Sequence, residues 1–307
     1  MYMILAPIRK SYLYARFLLG LKIFLPWYLV NSNFLRHLHF RGWFSTTVQE
    51  KRIELFNFNT QLETSLFWTK STYELDLSLM CFAELAKIAT HILDVGANTG
   101  IFAIAAASAN ESARVFAIEP NYSNFTALKA NVKRNNLTII CLNVAATNQT
   151  RLVTLWDFPT EISYSASLEK EFRDGQGAIP NEVLGIKLDQ ILIDATPSSL
   201  LLAKIDVESH EAEVIRGMSV ALANNHSQII YVVEIIRAKV AIELMSILPS
   251  DKFAYFNIND KSKMIGQMPN LCVIDGGMNY LIVSLNILDK VTAHLRGSTI
   301  IANLQYL

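Results

Sequence analysis

Residues 92–100 constrain the fold of this chain more than any other stretch of its sequence. They read ILDVGANTG, a short apolar run that ends in an acid and is followed by a turn containing glycines. The small apolar residues 101–108 come next and favour a helix. A strand, a tight turn and a helix in this order are typical of an open α/β sheet, which binds a nucleotide-like ligand at its carboxyl edge.

Two glycines in this turn, Gly96 and Gly100, indicate a close contact between backbone and ligand. Without a Cβ atom, a glycine lets the main chain approach a bound molecule, and the unpaired N–H groups of the following helix attract an anion or a carboxylate. The dinucleotide fingerprint requires glycine at the first, third and sixth positions of such a turn. Asn98 and Ile101 occupy the third and sixth positions here, so the sequence disfavours a cofactor for hydride transfer.

An acidic residue, Glu119, ends the next apolar run, residues 115–118. It lies 23 residues after Gly96, where a carboxylate can accept hydrogen bonds from both hydroxyls of a ribose. Together with Asp94, at the end of the preceding strand, it predicts a site for an adenosine-like group. This pair of strand ends resembles the S-adenosylmethionine site of Rossmann-like methyltransferases.

Apolar runs and helical patterns alternate along the chain and predict an α/β fold, a mostly parallel seven-stranded sheet with helices on both faces. The seven strands are expected at 91–95, 114–118, 138–143, 200–207, 228–235, 253–258 and 279–284. Twenty residues without a helical pattern separate the last two, which predicts that the final strand is antiparallel. We expect a Rossmann-like methyltransferase domain over 61–290, a basic and apolar helical extension over 1–60 and a tail over 291–307.

The first 49 residues are unlike the rest of the chain, because they contain six basic side chains and no acidic one. Their apolar runs are interrupted by charges and are much shorter than the roughly 18 residues that span a bilayer. On a helix Lys10, Arg16 and Lys22 would lie about 120° apart, so they form no cationic face for a membrane surface. We expect a helical extension packed on the domain or on a partner, with peripheral membrane contact as the alternative.

Charge and cysteine content exclude several classes of function. The 27 basic and 27 acidic side chains balance, so no attraction of the whole molecule to nucleic acid is expected. The three cysteines lack the spacing of a zinc cluster, and their odd number argues against a disulfide framework, which fits a reducing compartment. We therefore predict a cytoplasmic protein, with association with a membrane as the alternative, that binds no nucleic acid.

Residues 204–211, KIDVESHE, form the second distinctive stretch. They end a buried strand and begin a helix, so their side chains are expected at the same sheet edge as Gly96 and Glu119. Strand alternation directs Asp206 toward this crevice. Ser209 is expected to cap the helix.

Three side chains in this stretch are candidate catalytic residues: His210, Glu208 and Asp206. An imidazole has the pKa best suited to accept a proton at neutral pH, which makes His210 the expected general base. Glu208 is the alternative base, and Glu211 is expected to be solvated. The irregular residues 157–187 form the candidate substrate loop, because long inserts in compact domains are usually functional or disordered.

Several motifs occur in an order that resembles the FkbM family of methyltransferases. They are residues 94–100, Glu119-Pro120, Leu188-Asp189, residues 204–211 with Gly217, and residues 233–235, with the aromatic–acid pair Tyr73-Glu74 before the first strand. The resemblance covers about residues 70–285. In one departure from the pattern, this chain has Ser209 where the family usually has glycine.

The resemblance implies methyl transfer from S-adenosylmethionine to oxygen, often to a hydroxyl of a sugar or a secondary metabolite. It implies a cofactor site made of Asp94, Gly96, Ala97, Asn98, Gly100, Glu119, Asn143 and Ala145. No acid follows the third strand, so an asparagine or a backbone group is expected to contact the adenine amino group. Glu74 is a weaker candidate for the base.

Two other interpretations stay open from the sequence. In a metal-assisted variant of the reaction, Asp206 and Glu234 hold Mg²⁺ against a deprotonating hydroxyl, although two carboxylates are a thin ligand set. Alternatively the chain is a non-catalytic protein that retains the cofactor-binding fold. Intact Asp94, Gly96 and Glu119 argue against the loss of that pocket.

Overall fold

The computed structural model describes residues 12–24, 38–58, 60–68, 76–158, 162–163, 166–170, 177–225, 228–274 and 277–298. Its helices are α1 (Tyr12–Phe24), α2 (Gln61–Trp68), α3 (Leu77–Ala86), α4 (Ile101–Ala109), α5 (Tyr122–Arg134), α6 (Glu211–Arg216), α7 (Ser219–Asn225), α8 (Ala238–Ile247) and α9 (Leu288–Gly297). Its strands are β1 (Arg41–Val48), β2 (Lys51–Phe58), β3 (His91–Val95), β4 (Arg114–Ile118), β5 (Ile140–Leu142), β6 (Ala145–Ala146), β7 (Arg151–Asp157), β8 (Ile179–Ile186), β9 (Leu201–Ile205), β10 (Ile229–Glu234), β11 (Phe253–Asn259), β12 (Met264–Met268) and β13 (Asn279–Ser284). The pair Tyr73-Glu74 lies outside the described residues.

Eight strands form the main sheet, in the order β12-β11-β13-β10-β9-β3-β4-β5. The five strands from β10 to β5 are parallel, and β13 is antiparallel to both of its neighbours. The predicted antiparallel final strand is therefore confirmed. The sheet has one strand more than predicted, because β12 pairs with β11 in a hairpin. In this edge strand only Ile265 is buried, so it lacks the apolar pattern of a strand.

Helices cover both faces of this sheet, as predicted. Alternate residues of the central strand β3 point into two apolar clusters: Ile92 belongs to one and Leu93 to the other. The first cluster also contains buried residues of α3, α4, α5 and α9, and the second contains those of α6, α7 and α8. Strands β3 and β9 are buried throughout because they lie between two layers of helices. The chain has the predicted α/β, Rossmann-like architecture.

The helical interpretation of residues 1–60 needs correction. Helix α1 is present, but β1 and β2 form an antiparallel hairpin. Its two-residue turn, Gln49-Glu50, has positive φ angles of 47° and 64°. Such turns usually contain asparagine or glycine, so the sequence does not mark this one. The described helices include none that is long and apolar enough to cross a membrane.

The hairpin and helix α9, which are the described parts near the two ends of the chain, pack on the domain. Phe44 and Leu55 of the hairpin are buried in the same cluster as Ile92 of β3. Leu295 of α9 joins this cluster as well. The predicted boundary of a C-terminal tail at residue 290 therefore lies inside a packed helix, and residues 299–307 of that tail are outside the described part of the chain.

The predicted substrate loop, residues 157–187, is more regular than expected. Strand β8 pairs antiparallel with β7 and parallel with β6 in a separate three-stranded sheet. Before this strand, Ser167 and Trp156 exchange backbone hydrogen bonds of 2.8 and 3.0 Å. The insert thus leaves from and returns to the same small sheet.

Candidate cofactor and active site

The turn between β3 and α4 is built on left-handed backbone angles. Gly96, Asn98 and Gly100 have φ angles of 79°, 51° and 91°. A Cβ atom at Gly96 would lie 1.9 Å from the carbonyl oxygen of Asp206. Glycine is therefore required at this position for two reasons, the backbone angle and the contact between the ends of β3 and β9.

Asp94 supports this turn from inside the fold. Its Oδ2 accepts a hydrogen bond of 2.8 Å from the backbone N of Ala103, in the first turn of α4. The residue is 2% exposed, and burial raises the pKa of Asp94 to about 7. Its contacts join the end of the strand to the start of the helix.

Glu119 follows the end of β4 and contacts the same turn. Its Oε2 accepts a hydrogen bond of 2.8 Å from the backbone N of Asn98, and its Oε1 accepts one of 2.8 Å from the backbone N of Asn121. Burial raises the pKa of Glu119 to about 7. Each carboxylate oxygen retains a lone pair for a further donor, which is what two ribose hydroxyls require.

A cavity of about 270 Å³ opens at the carboxyl ends of β3, β4, β9 and β10. Seven of the predicted site residues line it: Gly96, Ala97, Asn98, Glu119, Ala145, Asp206 and Glu208. Further lining residues include Leu62, Thr99, Phe102, Asn124, Ser163, Ala166, Leu168 and Glu234. The described lining does not include Asp94, Gly100, Asn143 or His210. The structure thus brings the two sequence motifs together in one cavity.

Asn143 and Gly100 lie behind the lining. The side-chain Nδ2 of Asn143 donates to the backbone oxygens of Glu119 and Pro120, both at 2.9 Å. Gly100 is the N-cap of α4, and its backbone N donates to the carbonyl oxygen of Ala97 at 2.7 Å. Both residues therefore contact the backbone that carries the lining residues.

Lys204, Asp206 and Glu234 form an ionic group at the β9–β10 end of the cavity. The Nζ of Lys204 lies 3.1 Å from Oδ2 of Asp206 and 5.2 Å from the ring centre of Phe102. Burial acts to raise the pKa of Asp206, but the charge of Lys204 and a hydrogen bond with Glu234 hold it below its usual value. Burial and the charge of Asp206 raise the pKa of Glu234 to about 8. The two carboxyls therefore share one proton near neutral pH.

His210 lies outside this group, and both of its ring nitrogens have partners. Nδ1 is 2.8 Å from Oε1 of Glu169, and Nε2 is 3.1 Å from Oγ1 of Thr147. The hydrogen bond from His210 lowers the pKa of Glu169. Glu169 was not predicted as part of the site, and it belongs to the predicted substrate loop.

The substrate loop is attached over the cavity at two further places. The backbone oxygen of Ser163 accepts hydrogen bonds from Nδ2 of Asn98 at 2.8 Å and from Nδ2 of Asn124 at 2.7 Å. Ser167 donates through Oγ to the backbone oxygen of Glu208 at 2.7 Å. The residues on both sides of Ser167 line the cavity. The described parts of this loop therefore cover the ligand space.

The turn after β9 is strained. Glu208 and Ser209 have positive φ angles of 57° and 84°, and non-glycine residues in this region cost on the order of 1–3 kcal/mol each. The backbone angle is a physical reason for the glycine that the FkbM family usually has at Ser209. The predicted helix cap is wrong: His210 is the N-cap of α6, and Oγ of Ser209 has no hydrogen-bond partner within the described residues.

Glu211 is buried, which corrects the expectation that it is solvated. It is 1% exposed, and its Oε1 accepts a hydrogen bond of 3.0 Å from the backbone N of Ser209. Its Oε2 is buried and finds no partner in the described part of the chain. Burial raises the pKa of Glu211 to about 7. This carboxyl therefore contacts the strained turn from inside the fold.

We expect the Glu211→Gln variant to be more stable than the wild type at about pH 8 and equally stable at about pH 4, below the ordinary pKa of a glutamate. The folded-state pKa of about 7 is above the unfolded value, so the wild type loses stability over the pH range between these two pKa values, where the carboxyl ionises in the unfolded chain but not in the folded one. The amide of the variant stays neutral throughout. The expected gain is on the order of 1–3 kcal/mol. Urea unfolding at both pH values measures it, with the exposed Glu111→Gln as control. A difference that is independent of pH would contradict this expectation.

Two asparagines of α5 contribute to the site without having been predicted. Asn124 and Asn131 lie seven residues apart on the buried face of the helix. A polar residue within the apolar stripe of a helix is the signal that points to such a role. Ser163 and Glu169 have no comparable local signal, because the packing of distant segments brings them to the site.

Comparison with protein families agrees with this geometry. The family model described as the methyltransferase FkbM domain matches residues 94–255, more than half of the chain. The chain belongs to this family. It is a methyltransferase, and its cofactor is S-adenosylmethionine. The matched residues include Glu119, Asp206 and Glu234.

Solved methyltransferase structures are similar to this chain at low sequence identity. The precorrin-6Y C5,15-methyltransferase of Geobacter metallireducens is 14% identical, with a TM-score of 0.35, and the match covers 67% of this chain and 86% of that one. An O-methyltransferase of Bacillus cereus in complex with SAH is 12% identical, with a TM-score of 0.38 and coverage of 69% and 80%. The T. thermophilus 16S rRNA N2 G1207 methyltransferase is 11% identical, with a TM-score of 0.41 and coverage of 79% and 50%. No curated protein matches the chain.

Proposed function

We propose that this FkbM methyltransferase transfers a methyl group from S-adenosylmethionine to a hydroxyl oxygen of a sugar or of another small hydroxylated metabolite. One observation carries the proposal: a single cavity is lined by a carboxylate suited to ribose, Glu119, and by a carboxyl pair, Asp206 and Glu234. The first fits the cofactor, and the second fits an acceptor that releases a proton.

The residues at the β3–β4 end of the cavity suit S-adenosylmethionine. Glu119 offers lone pairs to the ribose, and Oδ1 of Asn98 is buried without a partner among the described residues. Gly96 and Ala97 bring the backbone to the cavity without bulky side chains. Ala145 lines the side that we assign to adenine.

Three of the predicted cofactor residues have indirect roles in this proposal. Asp94 and Gly100 make hydrogen bonds within the turn and the first residues of α4. Asn143 donates hydrogen bonds to the backbone oxygens of Glu119 and Pro120 and so holds this part of the main chain. Each of them keeps the lining residues in place rather than contacting the ligand space.

Proton uptake is the chemical task left to the protein. Bound S-adenosylmethionine supplies a methyl group that its positive sulfonium already activates. The protein has to align the acceptor oxygen with this methyl group and to take up the hydroxyl proton. Asp206 and Glu234 line the cavity, and Lys204 favours the ionised form of Asp206. When Glu234 is ionised as well, the pair can accept that proton, so it is our proposed general base.

The candidate bases from the sequence have different positions in the structure. Glu208 lines the cavity and is the second candidate for proton uptake. His210 is outside the described lining, and both of its nitrogens have partners. We therefore assign His210 a positioning role, in which it holds Glu169 and the loop that covers the cavity.

The charges around the cavity favour a neutral acceptor. Asp206, Glu208 and Glu234 line it, and Lys204 lies beside them. An anionic acceptor would be repelled by these carboxylates, whereas hydroxyl groups donate hydrogen bonds to them. This arrangement of charges supports a sugar or a polyol as the acceptor rather than a phosphorylated or acidic compound.

A metal-assisted variant of the reaction has less support. Asp206 already has a cation, Nζ of Lys204, at 3.1 Å. The residues that the structure describes contain no group of three or more His, Cys, Asp or Glu side chains suited to a metal ion. The buried ammonium of Lys204 thus occupies the electrostatic role that Mg²⁺ would have beside the acceptor.

Binding and transfer measurements test the proposal. Titration calorimetry with S-adenosylmethionine measures cofactor binding, and transfer of labelled methyl groups to a panel of sugars and small hydroxylated metabolites measures activity. NMR of the product identifies the methylated atom. We expect binding and an O-methyl product. Binding without transfer to any acceptor would support the non-catalytic alternative, and methylation at nitrogen or carbon would overturn the proposal.

The Glu119→Ala variant should bind S-adenosylmethionine at least about tenfold more weakly than the wild type. Hydrogen bonds to a charged group contribute about 1.5–3 kcal/mol each, and both ribose hydroxyls lose their acceptor. Calorimetry measures the affinity, and circular dichroism checks the fold. Glu111→Ala, at an exposed position, is the control. An unchanged affinity would remove the ribose role from Glu119.

A further inference from the structure

We infer that α2, supported by the hairpin of β1 and β2, forms one wall of the cofactor site, and that Glu63 is the positioning residue for the turn between β3 and α4. The inference rests on the proposed cofactor site. This segment precedes the family match, which begins at Asp94, so membership of the family does not account for it.

Glu63 reaches the turn from α2. Its Oε1 accepts a hydrogen bond of 2.7 Å from Oγ1 of Thr99. The two residues are almost fully buried, with exposures of 1% and 2%. Thr60, just before the helix, donates through Oγ1 to the other carboxylate oxygen of Glu63. The carboxylate is thus oriented by its own helix and presented to the turn, where a charge-assisted hydrogen bond is strong.

Asn131 joins the hairpin to the same residue of the turn. Its Nδ2 donates to the backbone oxygen of Thr99 at 2.9 Å, and its Oδ1 accepts a hydrogen bond of 2.9 Å from the backbone N of Phe56 in β2. Asn131 is fully buried. Thr99 is therefore held through its hydroxyl by α2, and through its carbonyl oxygen by α5 and the hairpin.

Leu62 is the residue of this segment that lines the cavity directly. It precedes Glu63 on α2 and lines the cavity. Thr99 lines the same cavity from the turn. The wall thus has Leu62 as an apolar surface toward the ligand space, and the hydrogen bond between Glu63 and Thr99 supports it from behind.

The turn needs this support because its backbone is in an unfavourable conformation. Asn98, next to Thr99, has a φ of 51°, and at this angle it donates its N–H to Glu119. If the turn relaxes in a fraction of the molecules, the apparent Kd rises as the competent fraction falls. Loss of the Glu63 contact should therefore weaken cofactor binding more than it destabilises the fold.

Substitutions at Thr99 test this inference in the full chain. Thr99→Val removes the hydroxyl at nearly constant volume, and Thr99→Ser retains it. We expect the valine variant to bind S-adenosylmethionine about 5–50-fold more weakly, and the serine variant within about twofold of the wild type. KM for the cofactor should rise while kcat at saturating cofactor stays nearly constant, since the carboxyl pair is untouched. Thr126→Val, at an exposed position of α5, is the matched control.

Glu63→Gln is the second variant, and it covers the case in which Thr99→Val fails to fold. It keeps the size of the side chain and removes its charge, so weaker cofactor binding is expected here too. The double variant should bind no more weakly than the weaker-binding single variant, because both substitutions act on the same hydrogen bond between Thr99 and Glu63. The inference would be overturned if Thr99→Val binds the cofactor as tightly as the wild type. If the valine variant does not fold, wild-type affinity in Glu63→Gln would overturn it. The proposed function would survive the loss of this inference if Glu119→Ala still weakens cofactor binding. A wild-type protein that binds no cofactor would refute the proposed function itself.

Discussion

Turnover of the Glu234→Gln variant is expected to fall about 10²–10⁴-fold, which is the usual contribution of a general base. The amide has the size of the carboxyl and can still hydrogen-bond Asp206, but it cannot ionise. Lys204, at 3.1 Å from Asp206, keeps its partner, so the fold and the cofactor affinity should change little. Steady-state kinetics and calorimetry on the same preparation measure both quantities.

The pH profile separates this role from general damage to the site. Burial and the charge of Asp206 raise the pKa of Glu234 to about 8, and a base has to lose its proton before it can accept another. The kcat/KM of the wild type should therefore rise with pH through this region, and the rise should be absent from Glu234→Gln. A variant that keeps wild-type turnover and the same pH profile would move proton uptake to Glu208.

His210→Gln provides the comparison for this experiment. The ring contacts Glu169 and Thr147, so its replacement should loosen the loop over the cavity and raise the KM of the acceptor. The rise of kcat/KM near the pKa of Glu234 should persist. If His210→Gln instead loses about 10²–10⁴-fold in turnover and Glu234→Gln does not, the imidazole is the base, as the sequence suggested.

The Gly96→Ala variant should lose cofactor binding and should be destabilised by at least about 2 kcal/mol. The new methyl group would lie 1.9 Å from the carbonyl oxygen of Asp206, and the φ angle at this position is 79°. The ends of β3 and β9 would have to separate to accommodate it. That separation moves the glycine turn and Asp206 apart, and both belong to the ligand site.

Gly266→Ala is the matched control, because a Cβ atom at this position would meet no neighbouring atom within 4 Å. Its stability should stay within about 0.5 kcal/mol of the wild type. Urea denaturation measures the stability of both variants, and calorimetry measures cofactor binding. Near-native stability and affinity in Gly96→Ala would show that the contact between β3 and β9 is looser than the structure indicates.

The fold could be predicted where short apolar patterns specify it. The run that ends at Asp94 and the run before Glu119 each predict one strand, and the parallel order follows from the helices between them. The hairpin could not be predicted in this way. Its turn, Gln49-Glu50, has the positive φ angles of a tight turn but not the glycine or asparagine that usually marks one.

The position of candidate site residues in the cavity could be predicted at strand ends and less well in the turn after β9. Asp206 and Glu208 line the cavity because the end of a buried parallel strand faces the carboxyl edge of the sheet. Glu211 was expected in solvent because acids are common in the first turn of a helix. In the structure the carboxyl of Glu211 is instead buried, and it accepts a hydrogen bond from the backbone N of Ser209 in the strained turn.

Local patterns in the chain specify the central strand–turn–helix unit, the glycine at Gly96 and the acid at Glu119, because apolar periodicity and residue type within a few positions are enough to predict them. The contacts of Glu63 with Thr99 and of Glu169 with His210 follow instead from the packing of distant segments. These partners are 36 and 41 residues apart. Their contacts depend on how whole helices and loops pack on the sheet, and no local pattern in the chain carries that information.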